Sequence, residues 1–439
     1  MANSSGLTRK IVRIAVFSLT VLALIGLIGA AALHSYGKHR LEDARADFES
    51  AWGHLTPIDA PPEPPENENG ARWLTAGGYA IVWSIDDQMF IGDLSGRTAR
   101  EWTDTEISRA RWILNEQQNA LALLNRAGSF EAFHLGTNGK VTTHNQIPVL
   151  DIVKGLRLLT VEARLAWKDG RRKDSLESLN TVSRSADGLL KTRVVMGSIT
   201  GSAAARWFCG SAADLIGDPC ADGASLSVLD SILPKEDPTY WTNVTLATQI
   251  DEIANEGLDY TADLHDPSLG WSIPFWVSSR FLFEDLIMAE ILARWNRHID
   301  LCQGPAALWP AGAGQEIWGD AAWPPWKAMA GVITPNLLSS RARSQAASTE
   351  LQQLRIALEL RLAEPAGLGP DACAMMSDLQ PTALTGKPVS CRYDPDLNTI
   401  VIDVPGAEEA LADHVSARNS AARISPIVMA LGKTAELRR

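Results

Sequence analysis

Residues 148–190 read PVLDIVKGLRLLTVEARLAWKDGRRKDSLESLNTVSRSADGLL, and the spacing of apolar residues in this stretch decides the fold. Ile152, Leu156, Leu159, Ala163 and Ala166 recur at every third or fourth position, the period of one helix face. Pro148 suits a first helical turn, where its missing N–H costs nothing. Asp169-Gly170 ends the pattern, and Asp174 with Glu177 has the spacing of a capping box that restarts it. Leu176, Leu179, Val182, Ala186 and Leu189 then make a second stripe. Two amphipathic helices joined by a short Gly connection form an antiparallel hairpin, and neither can bury its stripe alone.

Working outward, Val195, Ile199, Ala203 and Trp207 form a third stripe that would cover the first two. The arrangement looks like the hairpin stacking of tetratricopeptide-type proteins, without a sustained 34-residue period. Helical patterning continues through Asn243 to Tyr260, Phe275 to Arg297 and Pro335 to Ala363, the last with Ala347, Leu351, Leu354 and Leu358 aligned. Residues 70–147 are less regular: Tyr79 to Ile85 and Met89 to Leu94 are short apolar stretches broken by Gly92 and Gly96, and Asp104 to Arg126 is more helical. Near the end the period changes. Val389 to Tyr393 and Thr399 to Val404 flank the turn-like Asp394-Pro395-Asp396-Leu397-Asn398, which predicts a β-hairpin. Ala407 to Arg418 reads as a final helix before a basic tail.

Toward the N-terminus, Ile14 to Leu33 holds twenty residues without a charge. As a helix this rises about 30 Å, the thickness of a bilayer's hydrocarbon core. Arg9, Lys10 and Arg13 precede it, and a short basic tail of this kind resembles a signal-anchor start, placing the N-terminus in the cytoplasm. Ala30-Ala31-Ala32 leaves open a cleavable signal peptide. Gly26 and Ala30 form a small-xxx-small pair of the sort that lets two such helices approach. Leu41 to Trp52 reads as a charged stalk, and Pro57 with Pro61-Pro62-Glu63-Pro64-Pro65 as a semi-rigid spacer.

Of the 439 residues, 46% are apolar and 21% charged, and the formal net charge is -12. This composition excludes wholesale disorder and a collagen-like or small disulfide-stapled chain. The acidic balance argues against a nucleic-acid partner, since phosphate contacts need a basic face. Five cysteines contain no C-x-x-C. In an oxidising compartment Cys209 with Cys220 and Cys373 with Cys391 are the pairs close in sequence, leaving Cys302 odd; buried thiols are the alternative.

No zincin, nucleophile-elbow, Walker or Rossmann motif is present. The histidines, among them His134, His144, His265 and His298, lack metal-ligand spacing. Glu252, Glu256 and Asp259 share a helical face, with His265 beyond, which reads as a solvated acidic face or, in a buried pocket, as an acid/base pair for an envelope hydrolase. Asp394, Asp396 and Asn398 imitate the start of a calcium loop, but Thr399 and Pro405 stand where an EF-hand needs Gly and Glu, so a turn accounts for them better. Tryptophan is the compositional outlier: fifteen in all, seven from Trp271 to Trp326. Trp309, Trp318, Trp323 and Trp326 fall in a Pro/Gly/Ala segment and form a candidate interaction loop; the alternative is that they plug gaps between helices.

The order of features resembles a group of uncharacterised bacterial membrane-anchored proteins. The matching residues are the anchor, the Pro-rich spacer with Glu66-Asn67-Glu68-Asn69-Gly70-Ala71, the pattern Leu156-Arg157-Leu158-Leu159 then Ala163-Arg164-Leu165-Ala166 then Gly170, and the long helix Leu351 to Leu362 followed by Thr385-Gly386-Lys387-Pro388 and a hairpin. That ending is similar to the soluble module of type II secretion major pseudopilins. The chain departs from the pattern at Ala363 to Gly367 and at Thr382-Ala383-Leu384, and 407–439 is additional. The resemblance implies no assigned activity.

The expectation is a mainly α protein: an N-terminal transmembrane helix, packed helical hairpins and a small C-terminal α+β hairpin module. Its parts are a cytoplasmic tail (1–13), the anchor (14–33), stalk and spacer (34–69), a helical domain (70–334), a long helix with hairpin (335–406) and a C-terminal helix and tail (407–439). Membrane lipid, met through Ile14 to Leu33, and an envelope protein are the expected partners, with the bulk of the chain on the periplasmic side of the inner membrane. The expected role is a non-enzymatic scaffold, with the hydrolase and a secretion-apparatus component as alternatives. No catalytic residue, cofactor or metal ligand is assigned.

Overall fold

The first predicted stripe forms helix α6, Val149–Lys168. Ile152, Leu156, Leu159, Ala163 and Ala166 are all fully buried. The helix stops at Gly170, whose φ of +77° only glycine adopts without strain. The Arg171 N–H then turns back to the Ala166 carbonyl at 2.8 Å. α7, Arg172–Leu190, follows with its own predicted stripe buried. The expected capping box does not form: α7 has its N-cap at Arg171, three residues before Asp174, and Asp174 pairs with Arg171 at 2.9 Å.

These elements belong to a computed structural model that describes residues 4–53, 64–135, 148–256, 273–301, 304–310, 338–363, 370–376, 379–412, 414 and 424–430. The chain divides into two units, one of Met1–His54, Ile250–Asp300 and Gln315–Pro335, the other of Leu55–Gln249, Leu301–Gly314 and Asn336–Arg439.

In the larger unit, α2 (Gly70–Ala80), α3 (Ile85–Gly96), α4 (Asp104–Glu116) and α5 (Gln118–Ala127) precede α6. α3 runs through Gly92 instead of breaking there, and a Cβ at Gly92 would sit 3.1 Å from an Arg157 guanidinium nitrogen. After α7 comes α8, Val195–Ile216. Its packing face is not the predicted Val195, Ile199, Ala203, Trp207 stripe, which is half-buried. Gly197, Gly201, Ala204, Ala205, Phe208 and Ala212 are buried instead. Small residues explain the rotation: a Cβ on Gly201 would meet the Leu190 side chain at 2.9 Å and the Ala186 carbonyl at 3.0 Å, so α7 and α8 approach backbone to backbone.

A short helix α9 (Gly223–Ser231) and a longer α10 (Pro238–Glu256) follow, the end of α10 belonging to the other unit. α12, Leu338–Ala363, packs on α8 and α9 and buries the aligned Ala347, Leu351, Leu354 and Leu358. The predicted hairpin forms: β1 (Ser390–Asp394) pairs antiparallel with β2 (Thr399–Asp403), Cys391 facing Ile402. Asp394 Oδ1 accepts the N–H groups of Asp396 and Leu397 at 3.1 and 3.2 Å, so this carboxylate serves the turn. The expected helix after it is short, α13 (Ala407–Ala412). A third strand, β3 (Ile427–Ala430), pairs antiparallel with the outer side of β2 inside the segment read as a tail. The Gln353 amide donates to the carbonyls of Ile402 (2.8 Å) and Ser425 (3.3 Å), tying α12 to β2 and to the approach to β3. A disulfide joins Cys373 to Cys391, while Cys209 is a buried thiol and Cys220 an exposed one.

In the smaller unit, α1 runs from Ser4 to Trp52 without interruption, 49 residues and about 73 Å. Anchor and stalk are therefore one helix. Its apolar half is long and apolar enough to cross a membrane, and Val16, Phe17, Leu19, Leu22, Leu24, Ile25, Leu27 and Ile28 are all exposed. Past the apolar run a stripe of Gly37, Leu41, Ala44, Phe48 and Trp52 is buried. α11, Ile273–Leu301, supplies part of the cover, with Asp285 and Leu286 against Gly37.

Candidate interaction site

The four residues Ile81 to Ser84 turn the chain from α2 into α3, and α4 holds the turn in place. At the break between α4 and α5 the buried Gln117 side chain clasps Val82 at both backbone atoms: its Oε1 accepts the Val82 N–H at 3.2 Å and its Nε2 donates to the Val82 carbonyl at 2.7 Å. Ser84 caps α3, accepting the Asp87 N–H at 3.1 Å and donating to Asp87 Oδ2 at 2.7 Å. Arg109 of α4 donates to Asp87 Oδ1 at 2.8 Å and lays its guanidinium 4.4 Å from the Phe90 ring centre. The Arg109 hydrogen bond, helped by Ser84, holds the Asp87 carboxyl below the usual aspartate range.

Between this turn and α4 lies an open groove of about 230 Å³, walled by Val82, Trp83, Trp112 and Ile113 with Glu116 at its edge. Val82 is 80% exposed and Trp112 57%, and within the same corner Tyr79, Ile85 and Met89 are also exposed. Ligand pockets usually enclose about 300–1,000 Å³. A shallower apolar groove, rigidly framed, suits one or two bulky side chains of another protein better than an enclosed substrate.

Elsewhere in this unit the buried polar groups serve the fold. Arg164, 3% exposed, pairs with Asp214 at 3.0 Å and donates to the carbonyls of Leu94, Ser95 and Arg97, capping the end of α3. Burial pushes the Asp214 carboxyl up against the pull of Arg164. Arg206 of α8 makes a two-point bond to Glu350 of α12, at 3.0 and 2.8 Å. Burial opposes the charge on Arg206 and the Glu350 carboxylate more than offsets it. Glu162 is raised by burial, which outweighs its hydrogen bonds from Ser178 (3.1 Å) and Asn125 (3.4 Å). Among the described residues no group of three or more His, Cys, Asp or Glu is placed to hold a metal ion.

Of the predicted interaction loop, Trp309 is 6% exposed: its Nε1 donates to Gly304 O at 3.2 Å, and its ring lies 5.0 Å from His414. It fills a gap in the larger unit. Trp318, Trp323 and Trp326 lie outside the described residues, as do Asp259, His144, His265 and Cys302. Glu252 and Glu256 fall on α10, and their side chains are likewise outside the described set. His134 uses its backbone, accepting from and donating to Asn69, and His298 is buried 5.3 Å from the Trp295 ring. Sequence reasoning passed over Trp112 and Gln117. Their one signal is a Trp five residues before a polar residue that falls within a helical pattern.

No protein-family model, curated protein or solved structure matches this chain.

Proposed function

We propose that this is a single-pass protein of the bacterial inner membrane, anchored by α1, whose larger unit works outside the cytoplasm as a non-enzymatic interaction module. The observation that carries the reading is α1 itself: one unbroken helix whose large apolar side chains from Val16 to Ile28 are all exposed, while a stripe of its second half is buried. Bare leucines, isoleucines, valines and a phenylalanine over the roughly 20 Å from Val16 to Ile28 are stable in lipid and not in water. The Cys373–Cys391 disulfide supports the extracytoplasmic side, since such bonds persist in oxidising compartments. The packing of α6, α7 and α8 on one another, which we read as tetratricopeptide-like, and the groove at the α2–α3 corner support protein docking as the role.

A second reading, a secretion-apparatus component related to pseudopilins, is favoured by the same continuity, because it requires the anchor to run directly into a packed helix. α1 does so through Trp52.

The exposed Cys220 thiol tests the reading. The full chain should stay with membranes through an alkaline wash, and a membrane-impermeant maleimide should label spheroplasts, the label being lost in Cys220→Ser. Recovery in the soluble fraction, or labelling only after lysis, would refute the anchor or its orientation respectively. A photocrosslinker at Val82 should yield one discrete protein adduct; turnover of an envelope substrate without any adduct would favour an enzyme.

A further inference from the structure

Eight tryptophans belong to the larger unit, and five of them have an arginine over the ring. Arg172 lies 3.6 Å from the Trp167 ring centre and Arg126 3.9 Å from that of Trp73; the partners of Trp207, Trp309 and Trp102 stand at 5.4, 5.7 and 5.9 Å. An indole face offers a flat, weakly hydrated guanidinium both a negative quadrupole and an apolar surface. A sixth, Trp241, meets the Tyr240 ring edge-on and donates from Nε1 to Glu236 at 2.7 Å. The remaining two, Trp83 and Trp112, have neither a cation nor a ring partner among the described residues, and both line the groove at the α2–α3 corner.

The uncompensated charges beside these rings are of one sign. α4 has two arginines, and both are engaged, Arg109 by Asp87 at 2.8 Å and Arg111 by Asp169. Glu116 lines the groove and is exposed, and its carboxylate has no hydrogen bond or ion pair among the described residues. The last turn of α4, where it sits, holds no basic residue. Asp86, beside Asp87 in the first turn of α3, is also exposed and without an ion pair among the described residues. Trp83 Nε1 is buried, so the indole turns ring carbon and not its N–H to the groove. An aliphatic or aromatic anchor would fill the apolar part but cover Glu116 without compensating its charge, which costs free energy. A guanidinium satisfies the rings and the carboxylate together.

We infer that the groove takes an arginine side chain of a partner protein, its guanidinium against Trp83 and Trp112 and paired with Glu116. This rests on the docking reading above and gives that partner its chemistry: a basic segment whose apolar flanks cover the exposed Val82 and Ile85. Arginine fits better than lysine, because a planar guanidinium stacks on a ring while still bonding a carboxylate at its edge. The formal net charge of -12 draws a basic segment toward the chain before contact.

The test uses the full chain in detergent micelles and two peptide probes, each with leucine on both sides of the test residue and a benzophenone photocrosslinker. One probe carries arginine, the other citrulline, which has nearly the same shape and no charge. Tryptic mapping reads adducts on Trp73–Arg97 and Trp112–Arg126, the fragments that frame the groove. The arginine probe should label them about tenfold more than the citrulline probe, with the preference shrinking as salt is added. Trp112→Leu keeps apolar bulk but removes the ring face, and Glu116→Gln removes the charge; each should cut the preference about threefold. Both positions are exposed, and unchanged circular dichroism would show that the variants fold. Equal labelling by the two probes would overturn this inference and leave the groove as a docking surface. Labelling of neither fragment by either probe would overturn the docking reading of the groove as well. Displacement of the arginine probe by an equal concentration of tetramethylammonium chloride would make a free ammonium compound the occupant and overturn the protein partner. Adducts between two copies from a photocrosslinker at Val82 would likewise overturn a separate partner.

Discussion

The apolar half of α1 and the whole of α8 are both helical stretches with almost no charge, and they meet opposite environments. α8 has only Arg206 and Asp214 among 22 residues, yet most of it is buried. The apolar half of α1 carries Leu, Ile, Val and Phe on all sides and is exposed. At Gly26 and Gly29 of α1 no described atom comes within 4 Å of where a Cβ would stand, whereas at Gly197 and Gly201 of α8 one would collide with α7 or the turn before α8. Low charge alone does not separate a lipid-facing helix from a core helix. Small residues that admit a neighbour's backbone, and charges that find partners inward, mark the core helix.

That contrast can be broken most forcefully at α8. Arg164→Met leaves Asp214 buried without its cation and uncaps α3, and should cost about 3–5 kcal/mol in urea unfolding, most of it recovered by adding Asp214→Leu. A loss under about 1 kcal/mol would mean the inward charges are bystanders. In α1, Leu24→Arg should cost about 2.5–3.5 kcal/mol of membrane partitioning and shift the chain toward the alkaline-soluble fraction, without moving the unfolding midpoint of the larger unit. A shifted midpoint with unchanged membrane retention would make α1 a core helix like α8.

The smallest effect sharpens the picture of the stack itself. Burial holds the Glu162 pKa above that of the unfolded chain, so its contribution to stability is greatest below the unfolded value and declines as pH rises through the folded one. Glu162→Gln should therefore stabilise at neutral pH by roughly 1 kcal/mol, with the gain vanishing near pH 4. A gain that is the same at both pH values would show that desolvation of the carboxylate is not the cause.

The parts legible in the sequence were those where one face alone carries the apolar residues. The stripes of α6, α7 and α12 and the β1–β2 hairpin stand where their spacing put them, because large apolar side chains at a fixed period leave one way to bury them. α8 was misread by face, since Gly, Ser and Ala carry little hydropathy signal while allowing the closest approach. β3 was missed because Ile427 to Ala430 is only four residues long and acquires its partner from β2, not from its own neighbourhood. The groove at the α2–α3 corner was illegible for a related reason: the Gln117 clasp on Val82 joins residues 35 apart, a separation with no local pattern.

β3 is the last described element of the chain, and it covers the outer edge of β2. A polypeptide cut short before Ile424 would leave that edge bare, with Gln353 deprived of the Ser425 carbonyl. A bare strand edge is a template on which another copy can pair. The closing strand thus works as a seal: incomplete molecules would be the adhesive ones, betrayed by their tendency to associate before any loss of helix content shows.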